Sequence, residues 1–368
     1  MNEPIDIMGG VPPVRDPSNS PHDSNRPITP NLPAPIRERN PNAPKIVAFR
    51  GDRAACFFYR LSAPLSYVAK NNPTWDLTIT GVLDTRKLAD YDIAIMQRQY
   101  KADVFYPLLA MKKNGTKIIY EIDDDLFNVP KWNPASEVLG KRAVQDNIKY
   151  FMSNVHAIFT TTTHLKDLYS PYCPNIFVLP NSIDFDILHE TPRNAAKKVV
   201  AWQGSASHDR DVSLMVPALK ELVKRNDVFV KMWQIETSIK EIYQVPYVPF
   251  AAFYQMFAQL DGYLGLAPLT TVFFNRSKSN LKWLEYTVHG MATIASRVGP
   301  YADSIEHEKT GLLIEDNRDW LDAINYLLDN PEKHAELIKN ATAEVKENYD
   351  ISKNYVMWQN ALSAVLKM

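Results

Sequence analysis

The sequence predicts an α/β protein of two Rossmann-like, doubly wound domains that face each other across a cleft. Short apolar runs of strand length alternate with longer amphipathic stretches, as expected for buried parallel strands covered by helices. This alternation stops between residues 181 and 197 and then starts again. The chain has 368 residues, which is enough for two domains with cores of ordinary size. We therefore place the interdomain connection in that interruption.

The composition is that of a soluble globular protein, with 45% hydrophobic and 23% charged residues. The 41 basic and 42 acidic residues give a net charge of −1, so there is no general attraction to nucleic acid. Cys56 and Cys173 are too few for a disulfide framework or a cysteine-rich metal site. The sequence has neither a long apolar run nor a signal-peptide pattern, and we expect a cytoplasmic protein without a transmembrane segment.

Four segments follow from these patterns. Residues 1–44 are rich in proline and poor in bulky apolar residues, which predicts a disordered tail. Residues 45–185 and 186–350 are the two predicted Rossmann-like domains, and residues 351–368 are predicted to be a closing C-terminal helix. Ligands of such sheets bind beyond the carboxyl ends of the strands, so we expect the site in the cleft between the domains.

Eleven apolar runs are the predicted strands. Those of the first domain are Ile46–Phe49, Leu77–Thr80, Ile93–Met96, Lys117–Tyr120, Ala157–Thr160 and Ile176–Leu179. Those of the second domain are Lys198–Trp202, Val228–Met232, Gly262–Leu266, Ala292–Ala295 and Gly311–Ile314.

Polar residues follow three of the first-domain strands. Gly51 would let a ligand approach the backbone closely, or it serves an ordinary turn, and Arg98 has the same two interpretations. Asp123, Asp124 and Asp125 repel one another at the end of the fourth strand. One of them could cap the following turn. As functional groups, Asp123 and Asp124 could accept a hydrogen bond or a proton from a hydroxyl group, or hold a divalent ion.

In the second domain, Gly204 and Ser205 follow the first strand and suit an anion-binding turn. His208 and Arg210 come shortly after and could add positive charge there, although surface positions are the alternative. No Gly-Lys-Ser/Thr sequence follows, so the segment is not a P-loop. No order of residues indicates a covalent nucleophile, and no spaced His and Cys residues indicate a metal site.

A helix predicted at 279–289 has an unusual start. Ser277 or Ser279 is its expected cap, and Gly290 is the expected left-handed stop. Lys278 and Lys282 place cations at the positive end of the helix dipole and repel each other at i,i+4 spacing. An anion such as phosphate would explain both features, whereas a solvated basic turn is the alternative.

The segments Leu179-Pro-Asn-Ser-Ile-Asp184, Lys278–Gly290 and Gly311–Ile314 resemble GT-B glycosyltransferases, specifically retaining family 4, from Lys45 to the C-terminus. In that family two glutamates are separated by seven residues. The second matches Glu285, which the resemblance implies binds the donor ribose. The first falls at Ser277, a departure from the family. The Tyr-Glu-Ile-Asp-Asp-Asp-Leu-Phe sequence at 120–127 resembles a polysaccharide and phage subgroup.

The resemblance implies transfer of a sugar from a nucleotide-diphosphate sugar to an acceptor hydroxyl, with retention, in glycan, polysaccharide or phage-associated glycosylation. The first domain is then the acceptor side and the second the nucleotide-sugar side. Asp123 and Asp124 are the expected catalytic residues, without a metal or other cofactor. The expected donor-binding residues are Gly51, Gly204, Ser205, His208, Arg210, Lys278, Ser279, Lys282 and Glu285.

Two other functions fit the same residues. A noncatalytic nucleotide-sugar-binding protein would keep the donor site, and the departure at Ser277 favours it. A phage-type enzyme that glycosylates modified DNA bases would need a basic cleft rim with stacking aromatic side chains. The near-neutral charge argues against a nucleic-acid partner, although a local basic patch would allow one.

Overall fold

The computed structural model describes residues 43–82, 90–188, 198–233, 235, 237–246, 252–259 and 261–368. The predicted proline-rich tail lies outside the described residues up to position 42. Positions 189–197 of the predicted interdomain connection also lie outside them.

The first domain is built on a parallel sheet of apolar, largely β-branched segments. Its strands are β1 (Lys45–Phe49), β2 (Asp76–Thr80), β3 (Ile93–Gln97), β4 (Lys117–Glu121), β5 (Ala157–Thr160) and β6 (Ile176–Val178). Their order in the sheet is β2-β1-β3-β4-β5-β6. Because Phe49 pairs with Met96 and Gln97 pairs with Glu121, the carboxyl ends of β1, β3 and β4 lie at one edge.

Helices cover both faces of this sheet. They are α1 (Ala55–Phe57), α2 (Ala63–Asn71), α3 (Ala102–Lys113), α4 (Ser136–Leu139), α5 (Arg142–Met152) and α6 (Thr163–Tyr169). A π-helical turn, Phe58–Ser62, joins α1 to α2 and buries three consecutive side chains, Tyr59, Arg60 and Leu61. Such turns are rare and often lie at functional sites.

The second domain repeats the architecture. Its strands are β7 (Lys198–Trp202), β8 (Val228–Trp233), β9 (Tyr243–Val245), β10 (Gly262–Ala267), β11 (Ala292–Ser296) and β12 (Leu312–Ile314). Their order is β12-β11-β10-β7-β8-β9, and all pairs in both sheets are parallel. Chain order reverses between β7 and β10, as it does between β1 and β3, and ligands of such sheets bind at these switch points.

The helices of the second domain include three long ones at its C-terminal end. They are α7 (Asp209–Val212), α8 (Val216–Leu222), α9 (Phe253–Ala258), α10 (Leu281–Val288), α11 (Pro300–Ser304), α12 (Trp320–Asp329), α13 (Pro331–Asn348) and α14 (Ile351–Leu366). Short 3₁₀ turns lie at Phe185–Ile187, Ala206–His208, Ser213–Met215, Phe273–Ser277 and Asn317–Asp319.

The last helix returns to the first domain. In α14, Trp358 and Leu362 are buried in one apolar cluster with Leu61, Leu65 and Val68. Just before α14, the backbone of Ile183 bonds to residues 349 and 351 at 2.7 and 2.9 Å. The predicted α/β fold of two facing doubly wound domains is confirmed, and α14 packs the C-terminal end of the chain against the first domain.

Candidate active site

A cavity of about 360 Å³ lies between the carboxyl ends of the two sheets, at both switch points. The first domain contributes Ala54, Ala55, Cys56, Tyr59, Arg98, Asp123 and Asp124 to its lining. Asn181 comes from the connection between the domains. The polar lining of the second domain consists of Gln203, Gly204, Ser205, His208, Lys278, Ser279, Lys282, Glu285 and Tyr301.

Gly51 and Arg210 do not belong to this lining. The backbone N–H of Gly51 donates to the side chain of Gln97 at 3.0 Å, which is the ordinary-turn alternative. The Arg210 guanidinium lies over the ring of Trp132, 5.8 Å from its centroid. The structure brings the other predicted site residues together around one cavity.

The helix α10 begins later than predicted. Lys278 has extended backbone angles, and the first helical residue is Leu281. Neither Ser277 nor Ser279 caps the helix: Ser277 is fully buried, and the Ser279 hydroxyl accepts from Asn181 at 3.0 Å. The cap prediction is therefore wrong, and the two lysines do not share a helical face. The stop at Gly290, with φ of +67°, is as predicted.

Burial in α10 does not follow the i, i+3, i+7 stripe of its apolar residues Leu281, Leu284 and Val288. Only Leu284 of these is fully buried, together with the side chains of Trp283 and Tyr286. The helix is packed between its own sheet and α13, and its N-terminal part borders the cavity. Lys282 and Glu285 reach the cavity from that end.

The two lysines have different partners. Lys278 Nζ lies 3.0 Å from Asp124 Oδ2, an ion pair between the two domains, and 4.2 Å from the ring centroid of Phe274. Lys282 Nζ lies 3.4 Å from His208 Nε2. Within the described residues, Lys282 has no carboxylate within 4.0 Å, and burial lowers its pKa. Lys282 is therefore a desolvated cation without a contacting counter-ion.

His208 is neutral at pH 7, because burial and the nearby Lys282 lower its pKa to about 4. Its Nδ1 lies 2.8 Å from Asp211 Oδ2, so the shared proton belongs on Nδ1. The Nε2 lone pair then faces Lys282. The expectation that His208 adds positive charge is wrong, since it depends on burial, which the sequence does not display.

Asp211 is held firmly behind His208. Its Oδ1 accepts from the backbone N–H of Thr270 at 2.8 Å, from the Thr270 hydroxyl at 2.9 Å and from Asn275 Nδ2 at 2.8 Å. Burial opposes its ionisation, but these donors and His208 outweigh it and leave its pKa below the ordinary value. The series Asp211, His208 and Lys282 fixes the position of the lysine.

Glu285 is 2% exposed and binds donors from both domains. Its Oε1 accepts from the Tyr59 hydroxyl at 2.7 Å, and its Oε2 accepts from Gln203 Nε2 at 2.6 Å. Burial raises its pKa, while the Tyr59 hydroxyl and Lys282 oppose that shift. The site thus contains a carboxylate at the cavity wall that is oriented by hydrogen bonds.

The three aspartates after β4 have separate environments. Asp123 accepts from Arg98 at 3.1 Å, and Arg98 outweighs burial to leave the pKa of Asp123 lowered. Asp124 pairs with Lys278 as above. Asp125 is fully buried and accepts from the backbone N–H groups of Phe127 and Asn128 at 2.8 and 3.0 Å. Asp125 is thus the structural cap, and Asp123 and Asp124 face the cavity.

Sequence reasoning missed Tyr59 and gave Gln203 no role, although both bind Glu285. Tyr59 lies 226 positions from Glu285, and no local pattern marks such a contact. For Arg98 the sequence allows either an ordinary turn or a site role. Its φ of +51°, unusual for a residue with a side chain, is a strain typical of functional sites.

No three His, Cys, Asp or Glu side chains of the described residues come together in a group that could hold a metal ion. In the part of the chain that the structure describes, no helix has the length and apolar character needed to cross a membrane.

The two facing Rossmann-like domains form the GT-B fold, which solved glycosyltransferase structures share. HepE from Anabaena, in complex with UDP and glucose, has a TM-score of 0.65 at 12% identity over 87% of this chain and 99% of its own. Sucrose-phosphate synthase from Thermosynechococcus elongatus gives 0.63 at 10% identity over 88% and 99%. S. aureus TarM gives 0.56 at 17% identity over 74% of this chain, which spans 55% of TarM.

One family model matches within the second domain. Residues 281–344 match the model described as glycosyl transferases group 1. This segment starts at the first residue of α10, includes Lys282 and Glu285, and ends within α13. No curated protein matches the chain significantly in sequence.

Proposed function

We propose that the protein is a glycosyltransferase of the retaining family 4 type, which moves a hexose from a nucleotide-diphosphate sugar to an acceptor hydroxyl. One observation carries this proposal: Lys282 and Glu285, which line the interdomain cavity, belong to the segment that matches the group 1 glycosyltransferase model. In this proposal residues 45–185 form the acceptor side, and residues 186–350 form the donor side.

The donor diphosphate would lie against Lys278 and Lys282, with Gly204 and Ser205 facing it from the loop after β7. The environment of Lys282 supports this placement, because a desolvated cation that has no carboxylate within 4.0 Å among the described residues is stabilised by an anionic ligand. Positive charge at this place also stabilises the nucleoside diphosphate as it leaves, where charge develops in the reaction. Such a site needs no metal ion to neutralise the diphosphate.

Glu285 would accept hydrogen bonds from the ribose hydroxyls of the donor, with Ser279 close to the same part of the ligand. HepE structures contain UDP and UDP-glucose, and we propose a uridine donor as the first to test. The position of Glu285 beside Lys282 supports this arrangement, because ribose and diphosphate are neighbours in any nucleotide sugar.

In the reaction, the bond between the anomeric carbon and the diphosphate oxygen would break as the acceptor oxygen bonds to the same carbon. Retention would require attack on the face from which the diphosphate leaves. The acceptor proton would pass to the departing diphosphate or to a carboxylate. Asp123 and Asp124 support the second route, since both face the cavity from the acceptor side.

The test is a panel of nucleotide sugars, followed by a transfer assay with the donor that binds. A specific donor should stabilise the protein by about 2.7 kcal/mol at a hundredfold excess over its Kd. Release of the nucleoside diphosphate with a glycosylated acceptor supports the enzyme, and the anomeric configuration of the product decides retention. Tight donor binding without transfer or hydrolysis would instead indicate the noncatalytic binding protein.

The biological setting stays a prediction. We infer an acceptor in glycan, polysaccharide or phage-associated glycosylation, a cytoplasmic location and no nucleic-acid partner. A salt-dependent mobility shift with duplex DNA would contradict the last of these and support glycosylation of DNA bases.

A further inference from the structure

Tyr59 is a first-domain residue whose side chain packs among residues of the second domain. It belongs to the π-helical turn Phe58–Ser62, and its side chain is only 3% exposed. Its ring packs in an apolar cluster with Phe253, Trp283 and Tyr286, all of the second domain. Its hydroxyl donates to Glu285 Oε1 at 2.7 Å. A first-domain side chain therefore touches the second-domain carboxylate that the proposed function assigns to the nucleoside.

The direction of the hydrogen bonds around Tyr59 follows from its single proton. The hydroxyls of Tyr59 and Tyr254 are in hydrogen-bond contact. Because Tyr59 gives its O–H to Glu285, Tyr254 must be the donor to Tyr59 oxygen. Burial and Glu285 hold the pKa of Tyr59 well above its ordinary value, so the phenol keeps this proton. The hydrogen bonds thus run in one direction, from Tyr254 to Tyr59 and from Tyr59 to the carboxylate of Glu285.

The Glu285 carboxylate keeps capacity for a ligand. Tyr59 binds one oxygen, and Gln203 binds the other at 2.6 Å. An ionised carboxylate accepts about four hydrogen bonds, so both oxygens retain a free lone-pair direction. Two donors from two domains therefore fix the rotation of the carboxylate while it still borders the cavity.

We propose that Tyr59 is a positioning residue from the facing domain, which orients Glu285 for the ribose hydroxyls of the donor. Nucleoside recognition then requires the two domains in this arrangement, whereas diphosphate recognition by the lysines does not require Tyr59. This inference rests on the proposed function, and it adds a contribution of the acceptor-side domain to donor recognition.

The experiment compares Tyr59→Phe with the parent by calorimetric titration of UDP and of pyrophosphate, which lacks the nucleoside. Tyr59→Phe should weaken UDP binding about three- to tenfold, the value of one hydrogen bond, and leave pyrophosphate binding unchanged. Tyr67→Phe is the matched control. It also removes a phenol O–H that donates to carboxylates, at Asp184 and Asp186, but Tyr67 does not line the cavity.

Equal losses for UDP and pyrophosphate would show a general structural effect and overturn the proposal, as would unchanged UDP binding. Action through Glu285 also requires non-additivity. In the Glu285→Gln background, Tyr59→Phe should add little further loss, and full additivity contradicts the proposal. If Tyr59→Phe does not fold, Tyr254→Phe takes its place in the titrations, because it removes the hydrogen-bond donor to Tyr59. It should likewise weaken UDP binding and leave pyrophosphate binding unchanged.

The outcome for the parent separates this inference from the proposed function. A parent protein that binds none of UDP, GDP and ADP overturns the proposed function and this inference with it. A parent that binds one of them, with Tyr59→Phe indistinguishable from it, overturns the inference alone.

Discussion

The charged side chains that line the cavity have different partners on the first-domain wall and on the second-domain wall. On the first-domain wall, Asp123 is paired with Arg98 of the same domain, and Asp124 is paired with Lys278 from the other side. On the second-domain wall, Lys282 contacts the neutral imidazole of His208. The carboxylates Asp123 and Asp124 therefore have ion-pair partners within 4.0 Å, whereas Lys282 has none among the described residues. The opposite charges of Glu285 and Asp211 act on Lys282 only from a longer distance.

This difference indicates that the second-domain wall, rather than the first-domain wall, is suited to bind an anionic ligand. Burial lowers the pKa of Lys282 more than the charges of Glu285 and Asp211 raise it, so the desolvation of its ammonium group is not fully compensated. A phosphate at this position would remove the cost and gain a charge-assisted hydrogen bond. The first-domain wall instead offers carboxylates whose charge is already balanced, as suits a neutral hydroxyl acceptor. Substitutions on each wall should therefore change different steps.

The largest effect should come from the carboxylates. We expect Asp123→Asn and Asp124→Asn to lower turnover about 10²- to 10⁴-fold, the usual contribution of a general base, with donor binding at least retained. Steady-state kinetics with a saturating donor measures this. Unchanged turnover in both variants would return the pair to a structural role like that of Asp125. Complete loss on chelation, restored by Mg²⁺ or Mn²⁺, would favour a metal site instead.

The second effect concerns Lys282. Lys282→Ala should raise the Kd for the nucleoside diphosphate roughly tenfold to more than a hundredfold, because a charge-assisted hydrogen bond contributes about 1.5–3 kcal/mol. The free energy of unfolding without ligand should change little, since an unfavourably desolvated cation is removed. Calorimetry and urea unfolding measure the two quantities.

Lys231→Ala is the matched control for Lys282→Ala. Burial also lowers the pKa of Lys231, which is half-buried in β8 of the same domain but does not line the cavity. Parent-like affinity in Lys282→Ala would contradict the donor site at its centre, whatever the control shows.

The third prediction concerns the pH dependence of the free energy of unfolding, to which His208 on the second-domain wall should contribute. The folded pKa of His208, about 4, lies below its ordinary value of 6.5. As pH falls from about 6.5 to 4, the unfolded chain takes up a proton that the folded protein refuses, so stability falls. His208→Gln removes this dependence. The unfolding free energy of the parent relative to the variant should drop by about 2 kcal/mol between pH 7 and pH 4.5.

His156 is the first-domain counterpart for this measurement. Burial lowers its pKa to about 4 as well, so His156→Gln should give a pH dependence of the same sign. Only His208→Gln should also weaken nucleoside diphosphate binding, because His156 lies outside the cavity. Differences taken against the parent cancel the opposite contributions of Glu121 and Glu285, whose pKa values burial raises to about 7. A flat difference for His208→Gln between pH 7 and pH 4.5 would contradict its assignment as a buried neutral base.

Local patterns predicted the sheets and the strand-end residues of the site. Eleven of the strands in the described residues coincide with the predicted apolar runs, whereas β9 was missed because Tyr243 and Gln244 are exposed and give no such run. Asp124 and Lys282 could be found because the ends of parallel strands and the start of a helix meet at one edge, whereas Glu285 was assigned through the family resemblance.

The sequence could not show how these groups are paired. The contact of Tyr59 with Glu285 spans 226 positions and that of Lys278 with Asp124 spans 154, so both depend on the packing of two domains. The protonation state of His208 depends on burial for the same reason. The sequence therefore indicated which residues form the site, but not how they are paired or which of them are protonated.

The smallest effect tests whether the pair of Asp124 and Lys278 links the walls. A diphosphate at Lys278 must compete with Asp124, which lies 3.0 Å from its ammonium group. Asp124→Asn should therefore bind the nucleoside diphosphate about three- to fivefold more tightly, because losing a partly exposed ion pair frees the lysine at a gain of about 0.5–1 kcal/mol. The same variant that loses turnover would then gain donor affinity.

A general loss of negative charge near the cavity would also favour diphosphate binding, so the gain must be traced to Lys278. In the Lys278→Ala background, Asp124→Asn should leave the Kd for the nucleoside diphosphate unchanged. Asp123→Asn removes the ion pair with Arg98 at 3.1 Å but leaves Arg98 3.8 Å from Asp124, and its effect should be the same in both backgrounds. If Asp124→Asn improves affinity equally with and without Lys278, the two walls act through the overall field of the cavity, and Asp124 does not compete for the lysine.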